Sequence, residues 1–334
     1  MTKVLVLLVG FSLLAAGSAG AGSPAQAKTL KVGMVTDSSG LNDRGFNHLA
    51  YVGLQQAQKR LGITFRVAES RSTADYIPNL ASFARQGYDL VVGVGYTEIG
   101  AMGAVAKRFP STRFAIVDVA NGDLAGKPKN VLGLLFREEQ VGYLAGYLAG
   151  LEAKRKAGKD VVSSVAGEKQ PPVDRFVAGY QAGAKKADPG ITVVNAYSQD
   201  FDDQAKCKSI ALNQISGGSL AVFAVAGGCG LGALDAAREQ HVWGIGVDAD
   251  QSFLGPQILT SATKKVDRAV FLAVSSVQKG TFRGGNAVYG LKEGGVGLGK
   301  ISPKVPKADV AAVNRIKAQI VAGKIVPPRT VGGS

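Results

Sequence analysis

The sequence predicts an α/β fold built as two doubly wound parallel-sheet lobes joined by a hinge. Three observations carry that prediction. Short β-branched runs alternate with longer amphipathic segments, and this alternation runs through twice with a break near residue 136. The chain of 334 residues is also longer than one hydrophobic core usually serves. Alternation of strand and helix places helices on both faces of parallel sheets. The last part of the chain is then free to return to the first lobe.

In chain order, residues 1–27 read as a secretory leader, with Lys3 as its positive start. Val4–Ala16 is the apolar run, interrupted by Gly10 and Ser12, and Ala25-Gln26-Ala27 is a small-x-small cleavage site. The run falls short of the roughly 20 apolar residues of a spanning helix, which favours a cleaved leader over an anchor. Strands are predicted over Leu30–Thr36, Thr64–Glu69, Asp89–Gly93, Arg113–Val119 and Val131–Phe136. After the break they follow over Val161–Ala166, Ile191–Tyr197, Leu220–Ala226, Val242–Val247 and Ile258–Ala262.

Between the strands, apolar residues at three- and four-residue spacing predict helices over Asn47–Leu61, Ile77–Gln86, Ile99–Phe109 and Glu139–Ala157. The same spacing recurs over Asp174–Ala187, Asp203–Ile215 and Leu231–Gln240. From Thr281 onward Gly, Lys and Pro become frequent, with a strand or hairpin expected over Ala287–Leu298 and a short helix over Asp309–Ala322. Lobe 1 is expected to take residues 28–136 and about 265–295, and lobe 2 residues 137–264. Residues 296–334 form a tail packing on the lobes.

The net charge of +14 first suggests nucleic acid. However, the positive residues form no stripe interleaved with aromatics, and the longest local run is only Lys154–Lys159. A solvated basic surface suited to acidic lipid or wall polymer is the better reading. Two cysteines, Cys207 and Cys229, each fall near the start of a helix that follows one of two neighbouring strands. In an oxidising compartment they are expected to form a disulfide, with two buried thiols as the alternative. His48 and His241 have no ligand spacing with them, which argues against zinc.

In open parallel sheets, small molecules bind outside the carboxyl ends of the strands. Lobe 1 presents there Asp37 with the loop Ser38–Asn47, then Gly95-Tyr96-Thr97-Glu98, then Asp118. Lobe 2 presents Gly167–Arg175, Gln199–Asp203, Ala226–Gly232 and Asp248-Ala249-Asp250-Gln251, with Lys264 near the hinge. Carboxylates (Asp37, Asp43, Asp118, Asp248), an amide (Asn47), Lys264 and phenylalanines suit a ligand with hydroxyl pairs and a flat or apolar face. Sugars and nucleosides both fit. Three of these carboxylates, Asp37, Asp118 and Asp248, would repel an anion.

Plainer roles compete at several of these positions. Asp and Asn after a strand often cap the next helix, and Asp203 has the position to do only that. Phe46 is core or platform, Phe201 sits among polar residues as a platform would, and Phe223 in LAVFAVA is core. The run GGCGLG departs from GxGxxG spacing, and no nicotinamide or other cofactor is expected outside the cell. Gly227 and Gly228 instead let the backbone approach a ligand, with helix N–H donors behind them. No GxSxG elbow is present, and neither histidine has a nucleophile at recognisable spacing. Asp37 and Asp43 could do acid–base work, but the pattern favours a binder over an enzyme.

TDSSGLNDRGFN, YTEIGAM with FAIVD, FREEQVGYLAGYLAG and PPVDRFVAGYQAG resemble, in order, the motifs of the basic membrane protein family. So do FDDQAKCKSIALNQI, AVAGGCGLGALDAA, WGIGVDADQ and LTSATKKVD. These are the PnrA-like purine-nucleoside-binding proteins of ABC transporters, and the likeness runs from about Lys31 to the tail. The resemblance implies a type I periplasmic-binding-protein fold holding a nucleoside in its cleft. By motif, Phe46 would stack on the base and Asn47 bond it, while Asp118 would hydrogen-bond the ligand. Asp248 would bind the ribose hydroxyls and Lys264 would reach the ligand. Asp37 shares the first motif and serves either ligand or loop.

The second stacking aromatic stays open among Phe201, Phe176 and Phe223. More distant ribose binders of the same fold carry an aromatic where QDFDD places Phe201. Family members are commonly lipoproteins, whereas this leader holds no cysteine to carry a lipid. The combined expectation is an extracytoplasmic monomer, periplasmic or at the cell surface, that captures a nucleoside for an ABC permease. A sugar receptor, a sensor subunit passing occupancy to a membrane kinase and a secreted nucleoside hydrolase are its alternatives.

Overall fold

A computed structural model describes residues 1–5, 29–156 and 160–332. The predicted leader therefore lies largely outside the described residues, as does part of the basic run Lys154–Lys159. The first half alternates β1 (Lys31–Val35), α1 (Phe46–Leu61), β2 (Thr64–Ala68), α2 (Tyr76–Arg85), β3 (Leu90–Val94), α3 (Ile99–Arg108), β4 (Arg113–Val117) and β5 (Val131–Phe136). The second half runs α4 (Glu138–Lys154), β6 (Val161–Ala166), α5 (Pro171–Ala187), β7 (Thr192–Tyr197), α6 (Gln204–Ser216), β8 (Ser219–Val225), α7 (Gly230–Glu239), β9 (Trp243–Asp248) and β10 (Ile258–Lys264). The chain closes with α8 (Val266–Gln278), β11 (Gly285–Tyr289), β12 (Val296–Leu298) and α9 (Lys307–Val321).

The strands make two six-stranded sheets of the same topology, ordered β11-β5-β4-β3-β1-β2 and β12-β10-β9-β8-β6-β7. Pairing is parallel except for β12, which runs antiparallel to β10. The chain thus crosses between sheets after β5, after β10 and after β11. The segment expected to form a strand or hairpin over Ala287–Leu298 instead divides, one strand joining each sheet. Alternation along single strands sorts side chains between the faces. Leu90, Val92 and Val94 of β3 join the core beneath α1 and α8, while Val91 joins the core beneath α2 and α3. Helix α8 was not among the predicted helices, although its spacing (Val266, Ala269, Val270, Ala273, Val274, Val277) buries one face.

Two local features fix how lobe 2 is held. Helices α4 and α5 pack with their backbones in contact: a Cβ on Gly142, Gly146 or Gly150 would meet the carbonyls of Phe176, Tyr180 or Ala184. Only glycine permits that approach. The second feature is a disulfide between Cys207 and Cys229. It joins the first turn of α6 to the start of α7, and both sulfurs are buried. The strands before these helices are not neighbours, because β6 lies between β7 and β8. The packed helix pair, rather than the strands, brings the thiols together.

Candidate functional site

The loops at the carboxyl ends of both sheets line an inter-lobe cavity. The loop after β1 supplies Asp37, Asp43, Phe46 and Asn47, and the loop after β3 supplies Gly95 and Tyr96. From lobe 2 come Gln170, Val173 and Phe176 of the α5 entry, Phe201, Gly227 and Asp248. The lobes are close together here. A Cβ on Gly45 would stand 3.9 Å from the Asp248 Oδ2 atom across the cleft.

Within the first loop, Asp43 organises the start of α1. Its Oδ1 accepts from the N–H groups of Gly45 (3.0 Å) and His48 (3.1 Å), and its Oδ2 from that of Asn47 (2.6 Å). It therefore binds otherwise unpaired N–H groups at the helix start. The Asn47 amide donates to Asp37 Oδ1 (2.8 Å) and Asp43 Oδ2 (3.2 Å), and its Oδ1 accepts from the Asp37 N–H at 3.3 Å. Asn47 thus lines the cavity while serving the loop, with one lone pair on Oδ1 to spare. Asp37 Oδ1 also accepts from the Ser39 N–H at 2.9 Å. Its Oδ2 accepts no hydrogen bond among the described residues and faces Gly95. Burial pushes the Asp37 carboxyl up to about 6, against the bonds from Asn47 and Ser39 and with some repulsion from Asp43.

Asp118 and Asp248 occupy equivalent places in the two sheets, just past β4 and at the end of β9. Both have left-handed backbones, with φ of 72° and 62°. That conformation costs a non-glycine residue about 1–2 kcal/mol, least for Asp and Asn. Here it goes with carboxylates at the cavity wall. Lys264, the last residue of β10, donates to Asp118 Oδ2 at 2.6 Å and stands 3.1 Å from Glu138 Oε1. Arg175 meets the other Glu138 oxygen at 3.4 Å. The Lys264 ammonium also lies 5.0 Å from the Phe46 ring centroid and 5.1 Å from that of Phe136. These are cation–π distances.

Burial pushes the Asp248 carboxyl up to about 7, with Lys264 opposing and Asp118, Asp43 and Glu138 reinforcing. Burial likewise raises Asp118 to about 6, partly offset by Lys264. For Lys264 burial works against the charge, but Asp118, Glu138 and Asp248 outweigh it and hold the ammonium charged. Asp118 Oδ1 is buried without a partner, and the Asp248 side chain has none among the described residues. Open acceptors face the cavity, while its one lysine is already engaged.

Of the residues singled out from sequence, Asp37, Phe46, Asn47, Asp118, Phe201, Gly227, Asp248 and Lys264 come together around this cavity. Gly228 does not line it. Its backbone abuts the Phe201 carbonyl, and the N–H groups of Cys229, Gly230 and Leu231 bond to Phe201, Ala226 and Gly228 carbonyls. The expected helix N–H donors are therefore used up within the turn. Asp203 caps α6, accepting from the Lys206 N–H at 3.1 Å.

Of the competing aromatics, Phe223 is core, packed on Phe176 and Tyr180, while Phe201 and Phe176 both reach the cavity. The Phe201 ring lies against Gly167, where a Cβ would overlap it. Tyr96, Gln170 and Arg175 lie in strand-end loops that the sequence places at the cleft but were not singled out there as ligand residues, and Glu138 was passed over. The repeat of topology was the signal available for them, because it places each strand-end loop of one lobe opposite its counterpart. Among the described residues there is no cluster suited to a metal ion, and no helix is long and apolar enough to cross a membrane.

The family model of PnrA-like ABC-transporter substrate-binding proteins matches residues 30–330. The chain is 35% identical to the ABC transporter nucleoside-binding protein BmpA of Lactococcus lactis, over 92% of each chain. It is 34% identical to the CD4+ T-cell-stimulating antigen of Listeria innocua, over 97% of this chain and 96% of that one. Among solved structures, an ABC-transporter solute-binding protein of Aeropyrum pernix superposes with a TM-score of 0.82 at 28% identity, covering 90% of this chain and 94% of that one. A second, from Conexibacter woesei, gives 0.71 at 27% identity, over 90% and 99%. The two-sheet architecture is thus the type I fold of periplasmic solute-binding proteins, and the chain belongs to the PnrA-like family of ABC-transporter substrate-binding proteins.

Proposed function

We propose that this protein captures a nucleoside, preferably a purine nucleoside, in the inter-lobe cavity and delivers it to an ABC permease from the outer side of the cytoplasmic membrane. One observation carries the reading. An unpartnered acceptor on Asp118 and carboxylates of Asp37 and Asp248 share a cavity with Phe46, Phe176 and Phe201. Carboxylates accept from the hydroxyl pair of a ribose, and phenylalanine faces cover a base. A phosphorylated ligand would add negative charge beside three carboxylates, and the lysine lining the cavity, Lys264, already pairs with Asp118 and Glu138. The nucleoside-binding name of the Lactococcus relative supports the same reading.

The protein acts as a monomer and a binder, with ligand contacts to both lobes favouring the closed state. Export by residues 1–27 accounts for its location. Some relatives, such as one from Pyrococcus horikoshii, are named as lipoproteins, whereas the cysteines here are Cys207 and Cys229, joined to each other.

Thermal denaturation of the purified mature protein with nucleosides, free bases, ribose and glucose tests the proposal. Inosine, adenosine or guanosine should raise the melting temperature, by an amount equivalent to about 2.7 kcal/mol at a hundredfold excess over Kd. Stabilisation by ribose or glucose alone would replace the nucleoside reading with a sugar receptor. Release of free base on long incubation would make it a hydrolase.

A further inference from the structure

We infer that Gln170 is a specificity-determining residue, its side-chain amide reading a hydrogen-bonding edge of the base. The inference rests on the nucleoside reading above and extends it to a residue that no motif singled out. Gln170 sits at the N-cap of α5 with extended backbone, but its side chain makes no capping bond. It lines the cavity, yet its Oε1 is buried without a hydrogen-bond partner. A buried amide oxygen left unpaired costs free energy, so a partner from the ligand would be rewarded on binding.

Its neighbours place it at the apolar end of the cavity. Gly167, three residues earlier, has its backbone against the Phe201 ring, and Val173 and Phe176, a few residues later, line the same wall. Carboxylate oxygens that suit ribose hydroxyls are available on Asp118 and Asp248. A glutamine amide offers one acceptor and two donors on adjacent atoms. That pattern matches a base edge carrying a donor beside an acceptor: the 6-amino group with a ring nitrogen in adenine, or the ring N–H with the 6-oxo group in hypoxanthine and guanine. A purine without a 6-substituent lacks that pair.

Deleting the group on each side of the contact gives the test. Binding of adenosine, inosine and purine riboside (no 6-substituent) is measured by calorimetry on the wild-type mature protein and on Gln170→Met and Gln170→Glu. Wild type should bind adenosine and inosine about tenfold more tightly than purine riboside, as for one net hydrogen bond. In Gln170→Met the three ligands should bind within a factor of about two. Gln170→Glu keeps an acceptor for the 6-amino group of adenine or the ring N–H of hypoxanthine and loses the donor to the neighbouring acceptor. It should therefore weaken adenosine and inosine alike while both still bind more tightly than purine riboside, and a folding defect in one variant does not leave the question open.

A wild-type preference that survives unchanged in Gln170→Met overturns the assignment of Gln170 and leaves the nucleoside reading intact. So does a wild type that binds purine riboside as tightly as inosine. A wild type that binds none of the three removes the nucleoside reading itself.

Discussion

Asp248 carries a left-handed backbone, a raised proton affinity and no side-chain partner among the described residues, three features that together mark it as poised for a ligand. If it holds a ribose hydroxyl pair, Asp248→Ala should weaken nucleoside binding by about 2 kcal/mol, roughly thirtyfold in Kd. An unchanged Kd by calorimetry would remove it from the site. The pH dependence follows from the same group. Burial raises the folded-state carboxyls of Asp248 to about 7 and of Asp37 and Asp118 to about 6, above the ordinary 3.8. The folded protein then binds extra protons between about pH 4 and pH 7, so unliganded stability is fully present below that window and declines as pH rises through it. Asp248→Asn should flatten the decline in melting temperature. Ligand hydroxyls favour the ionised carboxylates, so affinity should rise across the same window. Calorimetry near neutral pH, in two buffers of different ionisation enthalpy, should register proton release on binding.

At the scale of elements, the seam between α4 and α5 depends on side chains that are absent. Gly146→Ala would push a methyl into the Tyr180 carbonyl, between backbones with no flexible atom to yield. Overpacking of this kind costs about 1–3 kcal/mol, more than the roughly 1 kcal/mol that alanine gains over glycine within a helix. Gly100→Ala in α3 meets open space and should be neutral or slightly stabilising, so chemical denaturation of the pair separates packing from propensity. The disulfide closes a span of 22 residues. Chain-entropy estimates put its stabilisation at about 3 kcal/mol, and a Cys207→Ala/Cys229→Ala variant should lose that much by denaturant titration. Nearly every strand and helix of the alternating region was legible from period and turn residues. Helix α8 was passed over although its apolar positions repeat at helical spacing. The β11–β12 segment, read as one strand or hairpin, divides between the sheets because sequence proximity does not say which sheet edge a strand joins.

At the scale of the whole molecule, the two sheets repeat one topology, and Lys264 joins them where the chain crosses between lobes. It ends β10 in the second sheet and pairs with Asp118 of the first. Removing one member of a buried ion pair leaves an uncompensated charge, at a cost of about 3–5 kcal/mol. Lys264→Met should therefore lower the melting temperature sharply as well as weaken binding. Replacing Lys206, paired with Asp200 at the surface at 3.8 Å, should change stability by less than about 1 kcal/mol. Closure itself is visible to small-angle scattering: saturating nucleoside should shift the population towards the compact form, and a radius of gyration unchanged by a ligand that binds would contradict the hinge.

The sequence alone determined the α/β class, the twofold run of strands and helices, and the motifs that resemble a nucleoside-binding family. Each of these is written in local period, turn chemistry or residue order. It also supplied most of the residues that meet at the cavity, because strand ends in a parallel sheet share one side. Only the tertiary structure decided which of them keep a free polar atom. Asp43 spends its carboxylate on the start of α1 and Asn47 most of its amide on the loop, whereas Asp118 and Asp248 keep acceptors open. It brought in Glu138, singled out Arg175 and Gln170 within a loop the sequence had placed at the cleft, and set Gly228 aside. Hydrogen-bond satisfaction depends on partners distant in sequence, and no local pattern records it.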